Sequence, residues 1–186
     1  MKDGFIQAFR KGNAITRLSA IILGLGNLAG KQIIKGILYL AMEVSFICFM
    51  IFKGMNCLAM LPGLGGREQQ EIWNEKLGVY EYVAGDNSLL ILLYGVATIF
   101  LIAAYVVLVM SSVKSAYNVQ SRLALGKHIN TFVEDVKSLF NENLHKLLLT
   151  LPVGGVLIFT ILPLIFMISM AFTNYSKVDS HLVLFD

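Results

Sequence analysis

The sequence has little charge for its length. Asp, Glu, Lys and Arg make up 15% of the 186 residues, whereas these four types are about a quarter of an ordinary soluble domain. Hydrophobic residues make up 56%, and the mean hydropathy is +0.71. Because roughly a third of the surface of a domain this size stays exposed after folding, one soluble globule would not hide so much apolar surface. The composition therefore predicts a membrane protein with a few spans.

Side chains that carry out chemistry are equally scarce. The two cysteines, Cys48 and Cys57, form no CxxC pair and are interpreted as small apolar side chains. Glu142 and His145 would share a helical face, as in a di-iron bundle, but that site needs a second such pair and further carboxylates from other helices. They are interpreted as a solvated helix end. We therefore predict no catalytic, metal or cofactor site and no enzyme, with an intramembrane enzyme as a lesser hypothesis.

Two glycine-containing stretches resemble nucleotide loops only in part. Leu125–His128 reads LGKH, but the glycine that a phosphate-binding loop needs five residues before Gly126 is Ser121. Gly24 and Gly26 have the wrong spacing to Gly30 for a dinucleotide fingerprint, and Gly26 and Gly30 predict close approach between helices instead. We expect neither a bound nucleotide nor a nucleic-acid partner.

Three long apolar runs predict helices that cross a bilayer. They are residues 33–53, 89–110 and 147–172, and about 20 apolar residues give the roughly 30 Å of helix that the hydrocarbon core requires. The third run contains Pro163. A membrane helix tolerates such a proline where neighbouring helices or a local distortion accommodate the freed carbonyl.

A fourth apolar stretch, Leu18–Ala29, has only 12 residues and is too short to cross. It predicts an interfacial or re-entrant helix. It also imitates a secretory signal peptide, although Asn27-Leu28-Ala29 is a poor cleavage site and Lys31 follows at once.

The distribution of Lys and Arg predicts the orientation of these spans. Counted from the apolar core of the first span, Gly36–Phe52, so that Lys35 and Lys53 belong to the connections, six precede the first span, three lie between the first and second, five lie between the second and third, and one follows. Basic residues favour the cytoplasmic side, so this alternation predicts a cytoplasmic N-terminus and an extracellular C-terminus.

The fold class predicted is an all-α membrane protein with three transmembrane helices, a short N-terminal interfacial helix and a cytoplasmic amphipathic helix. The predicted order is a cytoplasmic N-terminus with the interfacial helix (1–32), the first span (33–53), an extracellular loop (54–88), the second span (89–110), a cytoplasmic amphipathic segment (111–146), the third span (147–172) and the start of an extracellular segment (173–186).

The two connections carry patterns of their own. In the cytoplasmic one, seven apolar residues recur at helical spacing: Ile129, Phe132, Val133, Val136, Leu139, Phe140 and Leu144. They predict one helix along the inner membrane surface or against a partner protein, with Gly126 as the break before it. In the extracellular loop, Trp73, Tyr80 and Tyr82 suit the headgroup region.

Glu43 is the one charge inside the apolar core of a predicted span, since Lys35 and Lys53 lie at the ends of the first span. A carboxylate at the centre of a span costs roughly 2.5–3.5 kcal/mol, so it should face protein or water. We interpret it as a protonated or hydrogen-bonded strut between helices, with a polar site lining a pathway as the alternative.

Four stretches resemble one family. LPLIFMISMAFTNYS (Leu162–Ser176) is similar to the third span of the larger permease subunit of maltose-type ABC importers. LGLGNLAGKQIIKGILYL (Leu23–Leu40), GDNSLLILLYGVATIF (Gly85–Phe100) and GKHINTFVEDVKSLFNENLHK (Gly126–Lys146) resemble the maltodextrin permeases of Gram-positive bacteria. The resemblance runs over nearly the whole chain and implies the N-terminal, membrane-anchoring part of a permease subunit for maltodextrin uptake at the plasma membrane.

The resemblance also implies partners, which are a second permease subunit, cytoplasmic ATPase subunits and an extracellular sugar-binding protein, together with membrane lipids. The family's sugar-contacting spans and its EAA-type loop come after this region, so the permease core is expected to be absent here and no substrate residue is assigned. Such a piece is expected not to transport alone. The alternative hypothesis is a free-standing small multi-pass membrane protein with a structural or regulatory role.

Overall fold

The computed structural model describes residues 4–67, 70–83 and 85–173; for Leu139 it describes the backbone alone. Seven helices and two strands occur in these ranges: α1 (Phe5–Lys11), α2 (Ala14–Leu18), α3 (Leu25–Ala29), α4 (Ile33–Met60), β1 (Gln70–Asn74), β2 (Val79–Val83), α5 (Ser88–Ala124), α6 (Phe132–Phe140) and α7 (Leu144–Ala171). The helices α4, α5 and α7 are long and apolar enough to cross a membrane. The predicted all-α membrane fold is therefore confirmed, with one small sheet added.

The three long helices extend beyond their apolar runs. Helices α4 and α7 have 28 residues each and α5 has 37, which correspond to about 42 Å and about 56 Å at 1.5 Å per residue. The α5 helix continues through the polar residues that follow the second predicted span. It begins where Asn87 accepts a hydrogen bond from the amide of Leu90 at 3.1 Å, so Asn87 supplies the cap.

The proline in α7 coincides with a local distortion. Pro163 has no amide hydrogen and cannot donate to the carbonyl of Phe159, four residues earlier. Phe159 lies in a π-helical turn, Leu157–Ile161, where the hydrogen bonds skip one residue further. This is the local adjustment expected from the sequence.

The short apolar stretch near the N-terminus is not a single helix. Helix α2 ends at Leu18, a turn follows, and α3 begins at Leu25. The positive φ of 83° at Gly24 breaks the helix there, since this conformation favours glycine. The sequence prediction of one helix over Leu18–Ala29 was therefore wrong.

The amphipathic stripe also forms a shorter helix than predicted. Thr131 and Glu134 make a reciprocal capping box that starts α6, and α6 ends at Phe140. Asn143 then donates its side-chain amide to the Ser138 carbonyl at 3.3 Å, a local bond that competes with continuing the helix. Leu144, which we assigned to the stripe, begins α7 instead.

The predicted extracellular loop contains a hairpin that the sequence analysis missed. Strands β1 and β2 pair antiparallel, with Trp73 opposite Tyr80 and their rings 5.0 Å apart at 64°. Asn74 accepts a hydrogen bond from the amide of Lys76 at 3.0 Å, and Gly78 takes a φ of 63°. An asparagine and a glycine that bracket a short loop between β-branched and aromatic residues are the available signal.

The described chain divides into two compact units. The first unit comprises residues 4–49 and 101–154, and its interior combines apolar Leu23, Val113 and Ala116 with buried polar side chains. The second unit comprises residues 50–100 and 155–173. Its core is Leu64, Leu92 and Val96, against which Leu61, Phe166 and Met170 pack.

Candidate functional site: a polar anchor in the first unit

A buried carboxylate holds the turn before α3. Glu43, on α4, is 7% exposed, and its Oε2 accepts a hydrogen bond from the backbone amide of Leu23 at 2.9 Å. Its Oε1 lies 3.5 Å from the hydroxyl of Tyr105 on α5. The ring of Tyr105 stacks on Phe46 with centroids 4.0 Å apart. Glu43 thus joins its own helix, α4, to the turn before α3 and to α5, which is the geometry of a hydrogen-bonded strut.

Serines satisfy the other amides of the same turn. Ser112, on α5, accepts a hydrogen bond from the amide of Gly24 at 2.9 Å and donates to the carbonyl of Ser19 at 3.3 Å. The hydroxyl of Ser19 accepts from the amide of Gly26 at 2.8 Å. Because the first amides of a helix have no partner within it, these side chains satisfy donors that would otherwise be buried without an acceptor.

An amide cluster continues the network along α5. The side-chain nitrogen of Asn27 donates to Ser115 at 2.8 Å and to Gln32 at 2.7 Å. Gln32 in turn donates to the carbonyl of Asn130 at 2.6 Å. Together Ser19, Asn27, Glu43, Ser112 and Ser115 form a group that we call the polar anchor, because it fastens the segment before the first span to α4 and α5.

Glycines bring the backbones close enough for these bonds. A methyl group at Gly26 would collide with Cβ of Ala116, and one at Gly30 would collide with Cγ1 of Val119. Both contacts face α5. The prediction that Gly26 and Gly30 permit close helix approach is confirmed.

Two further contacts fasten the ends of this arrangement. Thr16 donates its hydroxyl to Gln120 of α5 at 2.8 Å. Lys35 of α4 pairs with Asp135 of α6 at 2.9 Å, with both side chains about three-tenths exposed. Exposed pairs of this kind contribute about 0–1 kcal/mol, so the buried hydrogen bonds hold the segment more firmly than this ion pair does.

Outside the spans, hydrogen bonding lowers the pKa of two carboxyl groups. The backbone amide of Thr131 has the largest effect and lowers the pKa of Glu134 below its usual value; the hydrogen bond with His128, 3.0 Å away, comes next and lowers it further. In the second unit the amides of Gly66 and Arg67 lower the pKa of Asp86. Each amide donates to the carboxylate at 3.1 Å, which favours the charged form. Asp86, which follows the hairpin, is thereby hydrogen-bonded to Gly66 and Arg67, which precede it.

The other candidate side chains are not brought together. Glu142 and His145 are exposed around the turn that starts α7, and Cys48 and Cys57 are free thiols. Gly126 has a φ of 62° and ends α5, so the LGKH stretch is a helix terminus. Within the described ranges no group of His, Cys, Asp and Glu has a metal-binding arrangement.

The serines of the polar anchor were missed in the sequence analysis. Ser112, Ser115, Ala116 and Val119 recur at spacings of three and four along the extension of α5. Such a stripe of small residues is a sequence signal for a packed helical face. What this arrangement can do is position helices, because its carboxylate is held by donors rather than poised beside a nucleophile.

Comparison with known proteins identifies relatives over most of the chain. It is 28% identical over 159 residues to the maltodextrin transport system permease protein MalC of two strains of Streptococcus pneumoniae. It is 25% identical over 159 residues to the maltodextrin transport system permease protein MdxF of Bacillus subtilis. No protein-family model and no solved structure gives a significant match.

The coverage of these matches is unequal. Each includes 85% of this chain but 33% of the relative, so the chain spans about a third of the length of the curated relatives it matches. The matched relatives are the permeases to which the quoted stretches pointed. The resemblance is therefore confirmed: this multi-pass membrane chain is similar to part of the maltodextrin transport permeases.

Proposed function

We propose that the chain is the N-terminal membrane region of a permease subunit that takes up maltodextrins as part of an ABC importer. The observation that carries this proposal is the match of 85% of the chain to a third of the maltodextrin permeases. The three long apolar helices give the same region a way to be held in a bilayer. The alternative of a free-standing small membrane protein has no specific observation in its favour.

In this role the region anchors the subunit and sets its orientation. We assign the N-terminus and residues 111–146 to the cytoplasm, and residues 54–88 and 173–186 to the outside of the cell. The counts of Lys and Arg in successive connections, six, three, five and one, support this assignment because cytoplasmic connections are enriched in them. The polar anchor then fastens the cytoplasmic N-terminal segment to the first and second spans.

The partners follow from the proposed importer. They are a second permease subunit, a pair of cytoplasmic ATPase subunits and an extracellular sugar-binding protein. The relatives' names describe a transport system permease, which supports assembly with further subunits. The region proposed here contributes packing surface to that assembly, and its described residues are assigned no contact with the sugar.

Uptake in the native host tests the proposal. Deleting the coding sequence of this chain should abolish uptake of a radiolabelled maltodextrin while glucose uptake stays unchanged, and supplying the gene again should restore it. Unchanged maltodextrin uptake in the deletion strain would support the free-standing membrane protein instead.

A further inference from the structure

A polar cavity of about 200 Å³ lies in the first unit, where α4 begins and α5 leaves the predicted membrane region. Its lining includes Lys35, Ser115, Asn118, Arg122 and Asp135. Arg122 donates through one terminal nitrogen to the Asn130 side chain at 2.6 Å and to the His128 carbonyl at 3.3 Å. Its other guanidinium nitrogens have no hydrogen-bond partner among the described residues, so they are available to an anion.

The charge around this cavity is positive. Asp135 is neutralised by Lys35, which leaves the charge of Arg122 uncompensated. A second cavity, of about 420 Å³, adjoins the first through shared Gln32 and Asn130, and its lining adds Lys31 and Lys127. These residues favour an anionic group at this end of the helices.

An apolar groove begins where the polar cavity ends. It measures about 420 Å³ and is lined by Leu38, Tyr39, Met42, Ala104, Val107, Leu108, Ser111 and the same Lys35. At the boundary, the Tyr39 hydroxyl lies 3.0 Å from the Ser111 hydroxyl, so each satisfies the other beside an apolar surface.

Helical periodicity makes the groove and the cavity one continuous strip. Residues 104, 107, 108, 111, 115, 118 and 122 recur every three or four positions on α5 and so share one face. From Ala104 to Arg122 this face extends about 27 Å, of which the apolar part, Ala104 to Ser111, covers about 10 Å. One membrane leaflet is about 20–22 Å thick with its headgroups. The strip is therefore long enough to hold one phospholipid, and its apolar and polar parts follow each other as in that lipid.

We propose that this strip binds an anionic phospholipid, with its phosphate between Lys35 and Arg122 and one acyl chain along Leu38, Met42, Val107 and Leu108. Charge complementarity argues for a lipid over a transmembrane helix of a partner, because an apolar helix would leave the guanidinium without a counterion. The proposal needs a membrane-embedded chain and is independent of what the permease transports.

Quenching by brominated lipids tests the site in the full chain reconstituted into bilayers. Trp73, the single tryptophan, is first replaced by Phe, and a reporter is introduced as Val107→Trp inside the groove. The matched reporter is Val106→Trp, next in sequence, 52% exposed and outside the groove lining. Each reporter is titrated with acyl-brominated phosphatidylglycerol and with acyl-brominated phosphatidylcholine.

We expect phosphatidylglycerol to quench the Val107→Trp reporter at a several-fold lower mole fraction than phosphatidylcholine, since one cation near a phosphate contributes a roughly fivefold preference. The Val106→Trp reporter should show no such preference. Arg122→Gln should remove the preference, whereas Lys114→Gln, an equal loss of charge at an exposed position of α5 outside both linings, should leave it intact. Helix content by circular dichroism confirms that each variant is folded.

Four results would overturn the proposal. Equal preference at both reporters would mean general recruitment of anionic lipid, and equal effects of Arg122→Gln and Lys114→Gln would mean the same. Absence of quenching at the Val107→Trp reporter by either lipid would mean that protein fills the groove. Loss of the preference on adding an equal amount of glycerol phosphate would assign the polar cavity to a free phosphate anion rather than to a lipid.

Discussion

Replacing Glu43 by Leu should loosen the turn before α3 without unfolding the protein. The substitution removes the acceptor of the Leu23 amide, which lies 2.9 Å from the carboxylate. Leu23 is fully buried. A buried donor left without a partner costs about 1–3 kcal/mol. Glu43→Gln keeps an acceptor oxygen at the same place, so its loss of stability at the turn should be smaller than that of Glu43→Leu. Some loss remains because a neutral acceptor makes a weaker hydrogen bond than a carboxylate.

Hydrogen exchange at the Leu23 amide measures this loss directly. If local opening limits exchange, lowering the free energy of opening by about 1–3 kcal/mol speeds exchange about 5- to 150-fold. Global stability should respond differently, because removing a carboxylate from a span also removes its burial cost of roughly 2.5–3.5 kcal/mol. We therefore expect faster exchange around Leu23 together with an unchanged or higher midpoint of thermal unfolding in detergent.

Ser45→Ala is the matched control for this experiment. Ser45 is exposed on the same helix, and within the described part of the chain its hydroxyl bonds to the carbonyl of Ala41 alone, so exchange at Leu23 should not change. Unaltered exchange at Leu23 in Glu43→Leu would refute the strut. Equal acceleration throughout the first unit would mean global destabilisation in place of a local anchor.

Three further predictions concern other parts of the chain. Gly30→Ala should overpack the contact with α5 and lower the free energy of unfolding by about 1–3 kcal/mol. Gly154→Ala should be neutral or stabilising in the same thermal scan, because the added methyl group would meet no atom of the described residues beyond its own helix backbone within 4 Å. The pKa of Asp86 is lowered in the folded state. Its stabilising contribution should therefore be present above its unfolded pKa of about 3.9 and be lost as pH falls through the lower folded pKa. The amide NMR shifts of Gly66 and Arg67, its two donors, should titrate below about pH 3.9, and Asp86→Asn should abolish that titration. Phe132→Asp with Val136→Asp should weaken attachment of residues 111–146 to the membrane or to a partner, and unaltered fractionation with unaltered assembly would contradict that placement.

The long helices were predictable because their signal is local. The hydrocarbon of a bilayer is the favourable environment for an uncharged run such as residues 89–110, and a helix satisfies the backbone hydrogen bonds of the run there. That Pro163 leaves a carbonyl without its donor was predictable in the same way, whereas the π turn was not, since α4 has such a turn at Met50–Gly54 without a proline. Even so, the extension of α5 to Ala124 was not fixed by hydropathy, because polar residues beyond the span are retained by packing.

The polar anchor was only partly predictable because its partners are far apart in sequence. Glu43 had to face protein or water, which the sequence showed, but its partner is a backbone amide at Leu23 that carries no residue-type signal. Ser112 and Gly24 are likewise 88 residues apart. The hairpin was missed for a different reason: Asn74 and Gly78 carried a local signal, and the aromatic residues beside them were interpreted through the membrane instead.

The central claim is that α4, α5 and α7 thread the chain across a membrane with alternating sidedness. Labelling by a membrane-impermeant maleimide in intact cells tests it, in a background where Cys48 and Cys57 are replaced by Ala. Lys76→Cys in the hairpin turn should react from outside. Lys127→Cys, beyond the end of α5, should react only after the membrane is opened. Reaction of both positions from the same side, or recovery of the chain in the soluble fraction without detergent, would contradict the account.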